Sequence, residues 1–280
     1  MTTLSRARFA VMRCFLQTVG RASDGLRIAF DEGFTSGTML DYVYRNEPSG
    51  RFLIGRPIDR IYLSHPGWEV IRIRKANLER LLREALAAQR QLDREPMVLD
   101  VAAGPARYLL NVLAEETPAT TRAVCFDQDE DALAIGRRHG EQRGLGDRVR
   151  FMTGDALSRE SLAGVRPAAN IVVASGFYDW MTDDSLVRRS MNLVHECLAD
   201  GGCFLFTNQA GHVDLEMVQA VFRDFRGEPL RMVTRPATQV NGWAEAAGFE
   251  VLQTACDPAG HYSVTLAVKR GQAPHECDCR

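Results

Sequence analysis

No apolar run in this chain of 280 residues reaches the roughly 18 residues needed to cross a bilayer. The seven cysteines contain no CxxC pair. They are expected as reduced thiols in a cytoplasmic protein, with Cys125 and Cys203 as small buried hydrophobes inside strand patterns. Net charge is only −2, which gives no electrostatic case for nucleic acid or a membrane as the main partner. There is no Gly-Lys-Ser/Thr, so a Walker phosphate loop is excluded. Internal repeats and low-complexity segments are absent. At the N-terminus, Arg6, Arg8 and Phe9-Ala10-Val11-Met12 form a faint signal-peptide pattern. Arg13, Gln17 and Arg21 break it, so an amphipathic helix is expected. His275-Glu276-Cys277-Asp278-Cys279 could ligate a soft metal, but no other ligands lie nearby in sequence. A flexible tail over 271–280 is expected instead, and no metal site.

What is present is an alternation of strands and helices. Residues 1–30 read as helical, and 34–68 form an aromatic-rich segment unlike a linker. Residues 70–92 form a helix with Ile71, Leu78, Leu81, Leu82 and Leu86 on one side. Strands are expected at 97–101, 122–126, 149–153, 169–175 and 203–207. Helices fall between them near 106–116, 129–143, 157–163 and 183–199, implying a mainly parallel sheet covered on both faces. Further helices at 213–225 and 237–247 precede strands at 249–256 and 261–269, spaced as an antiparallel hairpin. The expected units are a helical cap over 1–92 and an α/β domain over 93–270.

The richest stretch is Met97–Tyr108: a buried strand ending at Asp100, a small-residue turn, and a helix start. Ala102, Gly104 and Ala106 keep the backbone bare for a ligand, and the helix aims its N–H groups into the same crevice. A dinucleotide site wants G-x-G-x-x-G, but Ala102, Gly104 and Arg107 occupy those positions, and Arg107 argues against NAD or FAD. The spacing Asp100, Ala102, Gly104, Ala106 resembles the first motif of class I S-adenosylmethionine-dependent methyltransferases. Asp127 ends the second strand, where a carboxylate accepts from both ribose hydroxyls. Asp129 can cap the following helix. Asp155 ends the third strand and could accept from the adenine amine, with Phe126, Gln128 and Ala156 flanking the ring. Ser175-Gly176-Phe177-Tyr178-Asp179-Trp180 follows the fourth strand, beside the methionine end and the substrate.

A narrower resemblance lies in the cap. Leu40-Asp41-Tyr42-Val43-Tyr44, Gly55-Arg56-x-Ile58-Asp59-Arg60-x-Tyr62-Leu63, and Gly67-Trp68 with Ile71-Arg72-x-Arg74-Lys75 look like the signature of one bacterial methyltransferase family. Its members occur alone or fused to an α/β-hydrolase. The likeness continues at Ser175–Tyr178, Thr207-Asn208-Gln209 and Leu215-Glu216-Met217, and covers about residues 26–270. Ala210-Gly211-His212-Val213 stands where a tryptophan-histidine-proline run is expected, so only His212 carries over. The resemblance implies a Rossmann-like class I methyltransferase sheet, mostly parallel with a C-terminal antiparallel hairpin, under an N-terminal helical cap. It implies S-adenosyl-L-methionine as cofactor, S-adenosyl-L-homocysteine as product, and names no acceptor.

Methyl transfer from a sulfonium is an in-line displacement that needs alignment, exclusion of water and, for some acceptors, proton removal. His212 and Tyr178 are the catalytic candidates. Tyr42, Tyr62 and Arg72 are expected at the methionine end, with Arg74, Arg107 and Tyr44 as competitors for its carboxylate. Tyr44, His65, Phe177, Trp180 and Asn208 are expected around a small-molecule substrate. Two rivals stay open: another use of the same cofactor, and a non-catalytic interaction module with a vestigial site. No basic stripe or Asn/Asp-Pro-Pro-aromatic string supports a nucleic-acid substrate. Oligomeric state is open, a homodimer included.

Overall fold

The structure is a computed structural model describing residues 3–270 apart from Phe225. The expected tail and its His275–Cys279 cluster lie outside the described residues. The cap begins with α1 (Thr3–Gln17), a 3-10 turn (Val19–Ala22), α2 (Asp24–Asp31), α3 (Gly37–Arg45) and α4 (Phe52–Leu63). The stretch expected to be helical over 1–30 is thus helical in three pieces, and Ser23 starts the last by accepting the Leu26 amide at 3.0 Å. Ser36 caps α3 in the same way, through the Met39 amide, and Asn46 ends it in a left-handed conformation at φ 54°.

Fully buried Asp59 on α4 ties the cap together. Its oxygens accept from Ser23 Oγ at 2.6 Å, Gly25 N at 2.8 Å, Tyr42 Oη at 2.5 Å and Ser49 N at 2.9 Å. Four donors satisfy one buried carboxylate, which is what its burial requires.

Helix α5 (Pro66–Gln91) links cap to sheet. His65 caps it through the Gly67 amide, and Pro66 suits its first turn. Its early residues Trp68 and Ile71 belong to the cap core with Leu26, Phe34, Met39 and Phe222. From Leu78 onward its apolar side packs on the sheet with Val98, Ile171 and Leu205. The expected cap boundary at residue 92 thus falls at the end of a helix shared by both layers.

The sheet contains β1 (Met97–Val101), β2 (Arg122–Asp127), β3 (Val149–Thr153), β4 (Ile171–Ala174), β5 (Cys203–Gln209), β6 (Phe249–Cys256) and β7 (Tyr262–Lys269). Their order is β3-β2-β1-β4-β5-β7-β6. The first five run parallel, and β7 pairs antiparallel with both β5 and β6. Helices α6 (Arg107–Ala114), α7 (Glu130–Gln142), α8 (Arg159–Ala163) and α9 (Asp184–Cys197) follow β1 to β4 in turn. α10 (Leu215–Val221) follows β5, and α11 (Ala237–Ala246) precedes β6. This is the mostly parallel Rossmann-like sheet with a terminal antiparallel hairpin that the alternation implied. β5 runs past the expected residue 207 because β7 pairs with it through Gln209. β4 is shorter than expected: Asn170, just before it, turns its side chain to the Met97 amide and the Glu95 carbonyl. Cys125 and Cys203 are buried and unpaired.

Candidate active site

The loop after β1 owes its shape to three left-handed residues: Ala102 at φ 52°, Gly104 at 53° and Ala106 at 51°. Alanine tolerates this region at a cost of about 1–2 kcal/mol, and larger or branched side chains do so less readily. The small residues of the motif thus sit where the backbone needs them. Gly37, at the start of α3, rests on this loop. A Cβ there would lie 3.1 Å from Gly104 Cα and 3.1 Å from Pro105 Cδ. Arg107 forks onto Asp41 of α3 at 2.6 and 2.8 Å, so it fastens the cap and is not a free cation.

Asp100 lies under the loop, fully buried, with both oxygens 2.7 Å from Tyr108 Oη. Burial pushes its carboxyl up to about 8, against the Tyr108 hydrogen bond and with help from the charge of Asp127. It supports the loop from beneath and does not face the crevice, as had been expected of a cofactor contact. Asp127 stands at the tip of β2 and accepts the amides of Gly104 at 2.7 Å and Asp129 at 2.9 Å. Burial raises its pKa, and those two amides oppose the rise. Asp155 and Gln128 are exposed beyond the ends of β3 and β2, with Ala156 buried beside them. Asp155 also accepts the Leu157 amide at 2.9 Å. These groups line up along the carboxyl ends of β1, β2 and β3, where open α/β sheets take ligands.

On the other side of β1, Ser175 is half-buried and Gly176 turns left-handed at φ 73°, donating its amide to Thr207 Oγ1 at 2.7 Å. Arg74 of α5 comes in beside it: a Cβ on Gly176 would lie 3.7 Å from Arg74 Nη2. The buried guanidinium donates to Asp179 Oδ2 at 2.8 Å and Tyr44 Oη at 3.0 Å, and lies over the Tyr262 ring at 5.1 Å. Burial opposes its charge, but Tyr44, Asp179 and Tyr262 outweigh burial and raise its pKa. Burial likewise raises Asp179, against the pull of Arg74, the Gln209 backbone amide and Arg235. Two atoms of this pair, Arg74 Nε and Asp179 Oδ1, are buried without a hydrogen-bond partner among the described residues, as is Thr35 Oγ1 nearby in the cap.

Arg74, Asp179, Thr35 and Gly176 form one end of an apolar cavity of about 240 Å³. Its walls come from α1 (Met12, Leu16), α4 and α5 (Ile61, Tyr62, Trp68, Ile71), and the segment after β5 (Met217, Phe222). Trp180, His65 and His212 also line it. His212 Nδ1 accepts the Asp214 amide at 3.0 Å, so the neutral ring carries its proton on Nε2. Burial, with smaller help from His261 and His65, pulls its pKa down to about 4 despite Asp214. His65 Nδ1 accepts the Gly67 amide, and its Nε2 lies 3.1 Å from Asp214 Oδ2. Asp214 therefore latches the cap to the segment after β5.

The structure brings together His65, His212, Trp180, Gly176 and Tyr62 around the cavity, with Tyr44 behind Arg74. Several expected residues lie elsewhere. Tyr178 is buried on the opposite side of the sheet edge, its hydroxyl 3.2 Å from Ser190 Oγ and its ring near Phe206. It touches no ligand space and cannot be a base there. Phe177 packs into the same core. Tyr42 serves Asp59. Arg72 donates to the Leu63 carbonyl at 3.2 Å and does not line the cavity. Asn208 is buried and donates to the Arg235 carbonyl. Arg235 in turn holds the Tyr178 and Met181 carbonyls and Asp184. Thr35 and Tyr262 were not anticipated as site residues, and Asp179 was expected only within the Ser175–Trp180 stretch, with no role of its own. Asp179 stands 105 residues from Arg74, and no local pattern links them. Among the described residues, no group of three or more His, Cys, Asp or Glu side chains could hold a metal. Nor is any described helix long and apolar enough to cross a membrane.

In sequence, the chain is 35% identical over 263 residues to the uncharacterized protein YnbC of Escherichia coli, covering 94% of this chain and 45% of that protein. The chain thus spans about half the length of that curated relative. In structure, it resembles a possible exported protein from Bordetella parapertussis, with TM-score 0.71, 20% identity, and 96% and 95% of the two chains covered. That neighbour lends no support to the expected cytoplasmic location. An S-adenosylmethionine-dependent methyltransferase from Clostridium acetobutylicum superposes with TM-score 0.52 and 12% identity, over 75% of this chain and 99% of that one. At such identities these likenesses establish the fold. The sequence model of one family matches residues 1–269, nearly the whole chain. The chain belongs to that family, described as "Putative methyltransferase".

Proposed function

We propose that this protein is an S-adenosylmethionine-dependent methyltransferase acting on a small, largely apolar acceptor held in the cap cavity. The observation that carries the reading is the Arg74–Asp179 pair, set between the crevice at the strand ends and the cavity. A buried Arg74 Nε without an acceptor and a buried Asp179 Oδ1 without a donor are costly unless a ligand completes them. The carboxylate and ammonium of an α-amino acid match both, so the methionine end of the cofactor fits here. Asp127 would take the ribose hydroxyls, and Asp155 with Ala156 the adenine. Gly104 and Ala102 leave the backbone open between them.

When bound, the cofactor supplies a methyl group already activated by the positive sulfur. The chain contributes alignment and exclusion of water. The latch of His65 and His212 on Asp214 closes the cap, and the apolar walls keep the acceptor desolvated. Neither histidine has a free lone pair, because Nδ1 of each accepts a backbone amide. His212 Nε2 is thus a donor and not a general base. This favours an acceptor that arrives ionised or loses its proton to solvent. A cavity of roughly 150 Å³ accommodates benzene; the 240 Å³ here scales to about ten non-hydrogen atoms, shared between the acceptor and the methionine end of the cofactor. The test is incubation with methyl-labelled cofactor and fractionated metabolites, read by mass spectrometry. A product heavier by one labelled methyl, absent with the folded double variant Arg74→Met/Asp179→Leu, is expected. Transfer of a different group, or a labelled product that this double variant still forms at the normal rate, contradicts the reading.

A further inference from the structure

The cavity ends at a surface that is apolar and positively charged. On α4, Leu53, Pro57 and Ile61 recur every fourth residue and so share one side of the helix. Leu53 is 96% exposed and Ile61 74%, and Ile61 also lines the cavity. Across the opening, Met12 and Leu16 of α1 line the same cavity, while their neighbours Val11 and Phe15 are 71% and 56% exposed. Phe52, at the head of α4, is 83% exposed and left-handed at φ 59°, a conformation rare for a bulky residue. Scattered exposed hydrophobics are ordinary, but this set lies on two helices that flank one opening.

The exposed charge of α4 is of one sign. Arg56 and Arg60 follow Phe52 at four-residue steps along the adjoining ridge of α4, are exposed, and form no ion pair among the described residues. Exposed Arg51 precedes them. The one acid of α4, Asp59, is fully buried and held by its four donors. The chain's net charge of −2 conceals this local segregation. Exposed apolar side chains flanked by arginines suit the interface of an anionic bilayer. A two-fold pairing of two chains through α4 would instead set these arginines against their own copies.

We propose that the α1–α4 face of the cap docks on an anionic lipid bilayer, so that the cavity opens toward the acyl region. Docking stands independently of the methyl-transfer reading. Its corollary, that the acceptor is a lipid-soluble molecule drawn over Ile61, rests on that reading.

The test is flotation of the full chain with phosphatidylglycerol-containing vesicles and with pure phosphatidylcholine vesicles, beside calorimetric titration with S-adenosylhomocysteine. Flotation should favour the anionic vesicles and weaken at high salt. Leu53→Asp should reduce it by at least about tenfold, the scale set by one Leu side chain returned to water. Arg56→Glu with Arg60→Glu should abolish the preference for anionic lipid. Both variants should bind S-adenosylhomocysteine like the wild type, since neither touches the site, which also shows that they fold. Absence of flotation, equal flotation on both lipids, or flotation untouched by Leu53→Asp overturns the proposal. So does a dimer on sizing that Leu53→Asp dissolves, because the face would then join two copies. Flotation without S-adenosylhomocysteine binding by the wild type would overturn the methyl-transfer reading and leave docking standing.

Discussion

Replacing Arg74 by methionine separates the two roles assigned to it. The guanidinium is buried and bonded to Asp179 and Tyr44. Removing it strands the Asp179 carboxylate, and breaking a buried pair from one side costs about 3–5 kcal/mol. Chemical denaturation should therefore show Arg74→Met strongly destabilised. The double variant Arg74→Met/Asp179→Leu removes both charges. Because apolar replacement of a buried pair is often neutral, it should regain most of that loss. Ligand recognition should not recover with it. Each charged hydrogen bond contributes about 1.5–3 kcal/mol, or about 10- to 150-fold in affinity. Wild type should thus bind S-adenosylhomocysteine at least about 100-fold more tightly than 5′-methylthioadenosine, which lacks the amino-acid end. In the stable double variant that ratio should fall by about tenfold or more, with methylthioadenosine affinity nearly unchanged. Titration calorimetry with both ligands gives the four constants. An unaltered ratio in a folded double variant would refute the assignment of this pair to the methionine end.

Three further outcomes follow from the same geometry. Asp100, raised to about 8, holds in the native state a proton that the unfolded chain releases near the ordinary carboxyl value of 3.8. The stability tied to that proton is complete below the lower value and is lost as pH rises through the higher, at roughly 1.4 kcal/mol per pH unit between them. Asp100→Asn should gain on wild type by at least about 1 kcal/mol between pH 5 and pH 8 in urea titrations; parallel curves would count against a buried neutral carboxyl. Gly37→Val would push a side chain into Gly104 and Pro105, costing about 1–3 kcal/mol and weakening S-adenosylhomocysteine, whereas unchanged stability and affinity would deny the close seating of cap on loop. His212, pulled down to about 4, should show flat ring-proton NMR shifts from pH 8 to about pH 5; a titration near neutrality would restore it as a candidate base.

Much of the sheet was legible because parallel strands buried on both faces read as near-continuous apolar runs, as Met97–Val101 and Ile171–Ala174 do. The edge strand Val149–Thr153 buries only Val149 and Phe151 and reads by alternation. The glycine loop was legible in a weaker sense. Its small residues announced a tight backbone, and left-handed Ala102 and Ala106 explain why alanine suffices there. Side-chain direction in loops was not legible. Between residues 175 and 181 the chain turns Gly176, Asp179 and Trp180 to the cavity but Phe177 and Tyr178 into the core, and no strand or helix period predicts that split. Polar partners distant in sequence were also hidden. Tyr42 looked like a cofactor contact because its role depends on Asp59, which only the folded cap brings to it. Arg74 could not be chosen over Arg72 until Asp179 and Tyr44 stood beside it.

The most direct test of the central claim is calorimetric titration of the full chain with S-adenosylhomocysteine, run beside Asp127→Ala. Asp127 stands at the tip of β2 and holds the glycine loop at 2.7 Å, where a carboxylate meets ribose hydroxyls. The account predicts one saturable site per chain with micromolar-range affinity, an order-of-magnitude expectation for a metabolite site, and at least about tenfold weaker binding in the variant. No binding by wild type, or equal binding by Asp127→Ala, would contradict it.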